Sequence, residues 1–286
     1  MIVTILLTAL GVIALVFTGV LIQTAWRRSE LRPTFESIVL GGITNFFDTL
    51  GIGSFATTTA WIKLRKLIPD SFIPGTLNVG HALPTVAQAY IFIQLVSVDP
   101  VLLASCIAAA VAGAIVGAPI VVRLPVRVVQ GVVGIALLIA SSLYALSNLG
   151  MMPAGGDALA LATGPLAVAV VGHFVMGALM TFGIGLYAPS LILLSLLGLN
   201  PIAAFPIMMG SCAFLMPVCG MSFIRADRIN LRVVIGLALG GIPLVLVAAF
   251  LVKSLSLATL RWGVVVVVLY AAVLLLRSAM KPSAKQ

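Results

Sequence analysis

Asn45-Phe-Phe-Asp-Thr-Leu-Gly-Ile-Gly-Ser-Phe-Ala-Thr-Thr-Thr59 lies inside an apolar run, yet it holds an aspartate, two glycines one residue apart and three consecutive threonines. Gly51 and Gly53 each weaken a helix by roughly 1 kcal/mol relative to alanine. Thr57, Thr58 and Thr59 are β-branched and bond readily to nearby backbone. A helix written this way stops, unwinds and restarts. Unwound backbone at membrane depth survives only when it is buried in protein or lines a cavity, and such breaks form the midplane sites of many transporters.

The pattern occurs twice. Gly51-Ile-Gly-Ser-Phe-Ala56 returns as Gly183-Ile-Gly-Leu-Tyr-Ala188, and in the same ungapped register Pro69 falls on Pro201 and Pro74 on Pro206. Two structural repeats follow from this, over residues 36–148 and 165–277, each opening with a broken hairpin. Residues 1–35 supply an N-terminal helix and loop, and the whole chain forms one membrane domain.

Composition agrees. Of 286 residues 62% are hydrophobic and 8% charged, which no soluble domain of this length matches, so the chain is polytopic and all-α. The net charge of +9 is spread over loops and the C-terminus, which reads as topology and contact with anionic lipid. No basic face with aromatics or recognised module supports nucleic-acid binding. Cys106, Cys212 and Cys219 lie in apolar segments, without zinc spacing, and read as small packing residues.

The predicted elements are a first helix over 2–23, a broken element over 38–66, spans over 69–96, 99–122 and 126–148, and a polar link from Met151 to Gly164. A second broken element covers 165–197, and spans over 201–224, 232–252 and 257–277 follow. The first helix lacks a basic leader and a small-residue cleavage site, so it is expected to be retained, with its N-terminus outside. If each broken element returns to its starting side, all of the 16 basic residues except Lys253 and Arg261 share the cytoplasmic side, C-terminus included. Each repeat then contributes three full crossings, an odd number, and the second repeat is inverted relative to the first. Residues 165–181 would rise about 25 Å as a helix, so re-entrant hairpins and pairs of short crossings both remain open.

Asn78, His81, Thr85 and Gln88 fall at helical spacings of 3, 4 and 3, on one face. They read as ligands for a polar substrate or as interhelical glue. The matching positions of the second repeat, Gly210, Ala213, Pro217 and Gly220, carry no polar side chains, so any site is asymmetric. Asp48 is the carboxylate deep in a hairpin. It reads as a proton-linked coupling group or as a cap for unwound backbone. The restarted half-helices begin near Ser54–Thr57 and Leu186–Ser190, and two N-termini aimed at one point make an anion site. Thr57, Thr58 and Ser190 add hydroxyls to that site or cap their own helices. His173 is a second titratable candidate or a satisfied structural group. Tyr187 and Phe55, at equivalent positions, gate the cavity or pack. Gly113-x-x-x-Gly117 and Gly236-x-x-x-Gly240 permit close helix approach, within the chain or at a homodimer seam. No H-E-x-x-H, G-x-S-x-G or Walker A motif is present, so neither an enzyme nor a cofactor nor a metal is expected.

Gly41-Gly-Ile-Thr-Asn-Phe-Phe-Asp-Thr-Leu-Gly-Ile-Gly-Ser54 resembles the glycine-rich signature of the TauE/SafE family of sulfite and organosulfonate exporters. The resemblance extends through Thr57-Thr-Thr and Pro74-Gly-Thr-Leu-Asn-Val-Gly-His81, and returns in Phe182-Gly-Ile-Gly-Leu-Tyr-Ala-Pro-Ser190. It implies a bacterial inner-membrane transporter for small sulfur-containing anions, sulfite or sulfoacetate-like sulfonates, exporting more often than importing. Many members carry a third glycine where Ser54 and Leu186 stand here. A side chain at that point narrows or reshapes the site. An anion channel or an uptake permease on the same scaffold is the alternative.

Overall fold

The computed structural model describes residues 1–151 and 156–251, with single positions between 269 and 280. The expected last span over 257–277, with Lys253 and Arg261 before and within it and Lys281 and Lys285 after it, lies largely or wholly outside the described residues. Among the described residues the chain is helical, with no strand beyond one isolated bridge between Ala158 and Leu199. Among the described residues five helices are long and apolar enough to cross a membrane. The chain is therefore a membrane-embedded, all-α protein.

Helix α1 (Ile2–Arg27) leaves much of its length exposed, as a lipid-facing helix does. Helix α2 (Phe35–Thr49) starts at Thr34, whose hydroxyl accepts from Ser37 N–H, and α3 (Ser54–Arg65) follows the break. Gly51 and Gly53 hold φ of 84° and 86° there, a region that side chains disfavour. The expected span over 69–96 is itself broken: α4 (Ile73–Gly80) gives way at His81 to α5 (Ala82–Leu95). Pro84 explains the position, since it has no N–H for the carbonyl of Gly80 and its ring crowds that carbonyl. Helix α6 (Pro100–Val121) is capped by Asp99, whose carboxylate accepts from Leu102 N–H, and α7 is Val126–Asn148. The second broken element is α8 (Thr163–Met180) and α9 (Tyr187–Leu196), with Gly183 at φ 90° between them. Helices α10 (Pro201–Arg225) and α11 (Leu231–Leu251) complete the described core.

Polar contacts sort the helix ends into two groups. At one end Glu36 accepts from Arg65 Nε at 2.9 Å and from Trp61 Nε1 at 3.1 Å, which joins the start of α2 to the end of α3. Asp70 accepts there from Lys63 at 2.5 Å and from Gln130 at 2.7 Å, adding the start of α7, and Arg28 pairs with Asp227 to add the ends of α1 and α10. At the other end Asp99 N–H donates to Leu159 O at 2.9 Å and Asn200 N–H to Ala158 O at 2.8 Å. These bonds gather the starts of α6 and α10 with the link that precedes α8. The first hairpin thus starts and finishes at the end rich in basic residues, and the second at the opposite end.

Each hairpin leans on a helix from the other half of the chain. Helix α2 packs along α11, and α8 along α6. Both seams are built on small residues. A Cβ on Gly240 would collide with the carbonyl of Ile38, and one on Gly236 with Ser37. On the other seam a Cβ on Gly113 would meet the carbonyl of Phe174, and one on Gly177 the carbonyl of Ala110. Both G-x-x-x-G motifs are therefore occupied within the chain, which removes them as a homodimer seam: the close approach they allow is already used.

Candidate functional site: a cavity between the hairpin tips

The two breaks meet. A cavity of about 380 Å³ is lined by Asp48 and Gly53 to Ala56 from the first hairpin and by Leu179, Met180 and Gly183 to Pro189 from the second. Thr85 of α5, Cys212 and Met216 of α10, and an apolar strip of α7 (Val132, Ile135, Ile139 and Leu143) complete the wall. Asp48 alone among these carries a formal charge. The remaining polar side chains are Ser54, Thr85, Tyr187 and Cys212, so the wall is apolar with a few placed polar groups, as small-ligand sites commonly are.

Asp48 closes the first tip. Its Oδ1 accepts from Ser54 N–H at 2.5 Å, so the carboxylate sits on the first turn of α3, where both the open donors and the helix dipole favour it. Its Oδ2 accepts from Gln88 Nε2 at 2.9 Å, and the same amide donates to Thr49 Oγ1 at 3.0 Å. Gln88 Oε1 in turn accepts from the Tyr187 hydroxyl at 2.7 Å. A continuous chain of hydrogen bonds therefore runs from the first tip through α5 to the first residue of α9. The amide orientation of Gln88 is set by its neighbours: a phenol that donates on one side, a carboxylate that only accepts on the other.

His81 sits at the α4–α5 break and ties both halves of the first hairpin. Its Nδ1 lies 3.0 Å from Asn45 Oδ1, while Asn45 Nδ2 donates to Gly41 O at 2.8 Å. With Asn45 offering its oxygen, His81 donates from Nδ1, and Nε2 accepts from the Thr58 hydroxyl at 3.0 Å. The second hairpin holds a matching pair. His173 donates from Nδ1 to Ala169 O at 2.8 Å, and its Nε2 accepts from the Ser190 hydroxyl at 3.0 Å. Thr58 and Ser190 each lie seven residues after the first glycine of a Gly-Ile-Gly.

Of the residues expected to bind substrate, Ser54, Thr85 and Tyr187 line the cavity. Asn78, His81, Gln88, Thr57, Thr58 and Ser190 do not, because their polar atoms are engaged elsewhere. Asn78 Nδ2 donates to Pro74 O at 2.9 Å and to Met180 O at 3.0 Å, and Thr57 donates to Ser54 O at 2.9 Å. The stripe of Asn78, His81, Thr85 and Gln88 is fully buried and works chiefly as the strut between hairpins. Of the two coupling candidates Asp48 faces the cavity and His173 does not. Gly53, Gly183 and Gly185 line it, whereas Gly51 packs near the ring of Phe205.

The cavity also contains residues that sequence reading did not select. Met180, Cys212 and Met216 read as core, and only the one-turn spacing of Cys212 and Met216 hinted that they share a face. The α7 strip has no signal beyond apolar periodicity.

No family model, no curated protein and no solved structure matches the chain. Its class rests on the fold and the cavity: a helical membrane protein whose two broken hairpins enclose a mostly apolar chamber with one carboxylate.

Proposed function

We propose that the chain is a secondary transporter built from two inverted repeats, each a broken hairpin followed by three crossings. The observation that carries this reading is that two tips of the same sequence, Gly51-Ile-Gly and Gly183-Ile-Gly, come from opposite ends of the molecule and border one cavity, the first through Gly53 and the second through Gly183 to Gly185. Alternating access needs a site that either half can expose, and a chamber bounded by equivalent elements of both halves meets that need. The cargo we propose is a small sulfur-containing anion, sulfite or an organosulfonate of the sulfoacetate type, as the resemblance to TauE/SafE exporters implies. Its donors are the Ser54 and Thr85 hydroxyls with the open N–H groups of the first turn of α9, while the Tyr187 hydroxyl, which donates to Gln88, lines the wall beside them. Leu186 gives that turn no side-chain cap. Asp48 is the proton-linked element, since an ionised carboxylate beside an anion is unfavourable and protonation relieves it. The proposed setting is a bacterial inner membrane, N-terminus outside, basic end cytoplasmic, with net flux outward.

The test joins binding to flux. Purified protein is heated with sulfite, sulfate, sulfoacetate, taurine, acetate and phosphate in turn. A ligand at 100 times its dissociation constant stabilises by about 2.7 kcal/mol, an easily read shift. Sulfur oxyanions are expected to stabilise, and proteoliposomes to show saturable counterflow of the same anions. Stabilisation by a cation or carboxylate, with none by any sulfur oxyanion, overturns the cargo. Flux far above carrier turnover and indifferent to a counter-gradient makes the protein a channel. In Asp48→Asn the pH dependence of transport is expected to vanish.

A further inference from the structure

Asp48 and Met180 occupy equivalent positions, 48 and 180, at the two tips. One tip brings a carboxylate to the cavity and the other a thioether. Met180 does not stand alone. Cys212 Sγ, on α10, faces Met180 Sδ at 3.5 Å, and Met216, one helical turn further along α10, lines the same wall. All three are almost fully buried from bulk solvent. Three sulfur-bearing side chains, two of them with their sulfurs in contact, therefore line a chamber in which Asp48 provides the formal charge.

We propose that this sulfur wall binds a soft monovalent metal cation, Cu+ or its redox-silent counterpart Ag+, through Cys212, Met180 and Met216. Thiol and thioether ligands select such ions over hard ones, which require several oxygens. Among the described residues no group of three His, Cys, Asp or Glu side chains gathers, so Zn2+ lacks its usual ligand set. A soft ion with two or three sulfur ligands needs no such group. Binding as a thiolate breaks the Cys212 S–H bond and forms a sulfur–metal bond, and the proton leaves to solvent. The Met180 side chain is unbranched and can shift to admit the ion between the two sulfurs. This inference goes beyond the anion reading and does not rest on it.

The experiment uses the full chain in detergent. The protein is incubated with Ag+ in chloride-free buffer, freed of unbound ion by gel filtration, and its metal counted by mass spectrometry. Wild type is expected to retain about one ion per chain. Cys212→Ala should lose it, and Met180→Leu should weaken retention about tenfold or more, the scale on which lost metal-site groups act. Cys106→Ala and Cys219→Ala should retain it, because neither thiol lines the cavity. If Cys212→Ala does not fold, Cys212→Ser and Met180→Leu carry the same comparison. No retention by wild type, or equal retention by all variants, or equal loss in Cys106→Ala, overturns the site. The readout involves no flux, so it stands or falls separately from anion transport.

Discussion

The two hairpins carry the same Gly-Ile-Gly-x-x-Ala and reach the same cavity, yet they are held by different partners. In the first, both glycines take positive φ and a carboxylate covers the opening turn of α3. In the second only Gly183 does so, and a thioether stands where the carboxylate was. Each restarted helix offers one hydroxyl, at equivalent positions, to a histidine Nε2 at 3.0 Å. The histidines come from different places: His81 from the α4–α5 break, His173 from α8 of its own hairpin. The backbone plan and the hydroxyl are thus shared by the two hairpins, while the groups that satisfy them differ. The cavity inherits that asymmetry, with one charged tip and one sulfur tip.

The shared part of the comparison breaks most severely at the seams. Gly240→Leu on the α2–α11 seam and Gly177→Leu on the α6–α8 seam each drive a side chain into a facing carbonyl. Neither clash can be relieved by rotating a side chain. Overpacking of well-packed cores costs about 1–3 kcal/mol and backbone collisions exceed that range, so both variants are expected at or beyond its upper end. The measurement is the yield of monodisperse protein and its melting temperature in detergent. Matching losses would support two equivalent seams; a loss on one alone would show that the halves do not bear on each other symmetrically.

The next effect separates the tips. Asp48→Leu leaves the Ser54 N–H and one bond of the Gln88 amide unmade in a buried place. An orphaned buried donor costs about 1–3 kcal/mol, which puts the variant about 2–4 kcal/mol below wild type. Met180→Leu, close in volume and apolar, should cost under about 1.5 kcal/mol. Equal melting points for the two would mean that removing the buried charge offsets the lost bonds, and that the carboxylate is not a structural cap.

The glycine pair sharpens the same contrast. Gly183 lies at φ 90°, and a Cβ there would stand 3.3 Å from Leu77 Cδ1. Gly183→Ala is expected to cost about 1–2 kcal/mol, the penalty of an L side chain in left-handed backbone. At Gly185, outside that region, an added Cβ would make an ordinary 3.7 Å contact with Phe55 Cβ, so Gly185→Ala should stay within about 0.5 kcal/mol. Thermal shifts on the two variants measure the difference.

Much of this architecture was legible in residues 45–59 and their echo. Glycine pairs mark the breaks because few other residues permit them, and spacing of apolar residues sets most helix ends within a few positions. Pro84 also signals a break, but it sits in an apolar span whose length alone reads as one helix, so periodicity does not reveal the change at His81. The period of the polar stripe marks it and its place in an apolar span implies burial, but nothing in it names its partners. Asn78 meets Met180 O across more than a hundred residues of chain, and Gln88 meets Tyr187 across a similar gap. Local periodicity carries no information on which distant carbonyl or hydroxyl a buried amide will find. The cavity's sulfur wall was hidden for a related reason, since Met and Cys look alike in a core and in a chamber.

The smallest effect tests whether the two tips act as one. Thr58→Val and Ser190→Ala each remove the hydroxyl that faces a buried histidine Nε2. Each leaves an acceptor unpaired and should cost about 1 kcal/mol. The two pairs share no hydrogen-bond partner, since His81 turns to Asn45 and His173 to Ala169 O. Independent sites add within about 0.5 kcal/mol, so the double variant should lose the sum of the singles. One route for a surplus beyond that is the Asp48–Gln88–Tyr187 chain, which joins the tips and touches the first residue of α9. Repeating the cycle in Tyr187→Phe, which removes the hydroxyl that reaches Gln88, then decides the route. If the surplus disappears there, the tips are coupled through Gln88; if it persists, the coupling runs through packing of α10 between them.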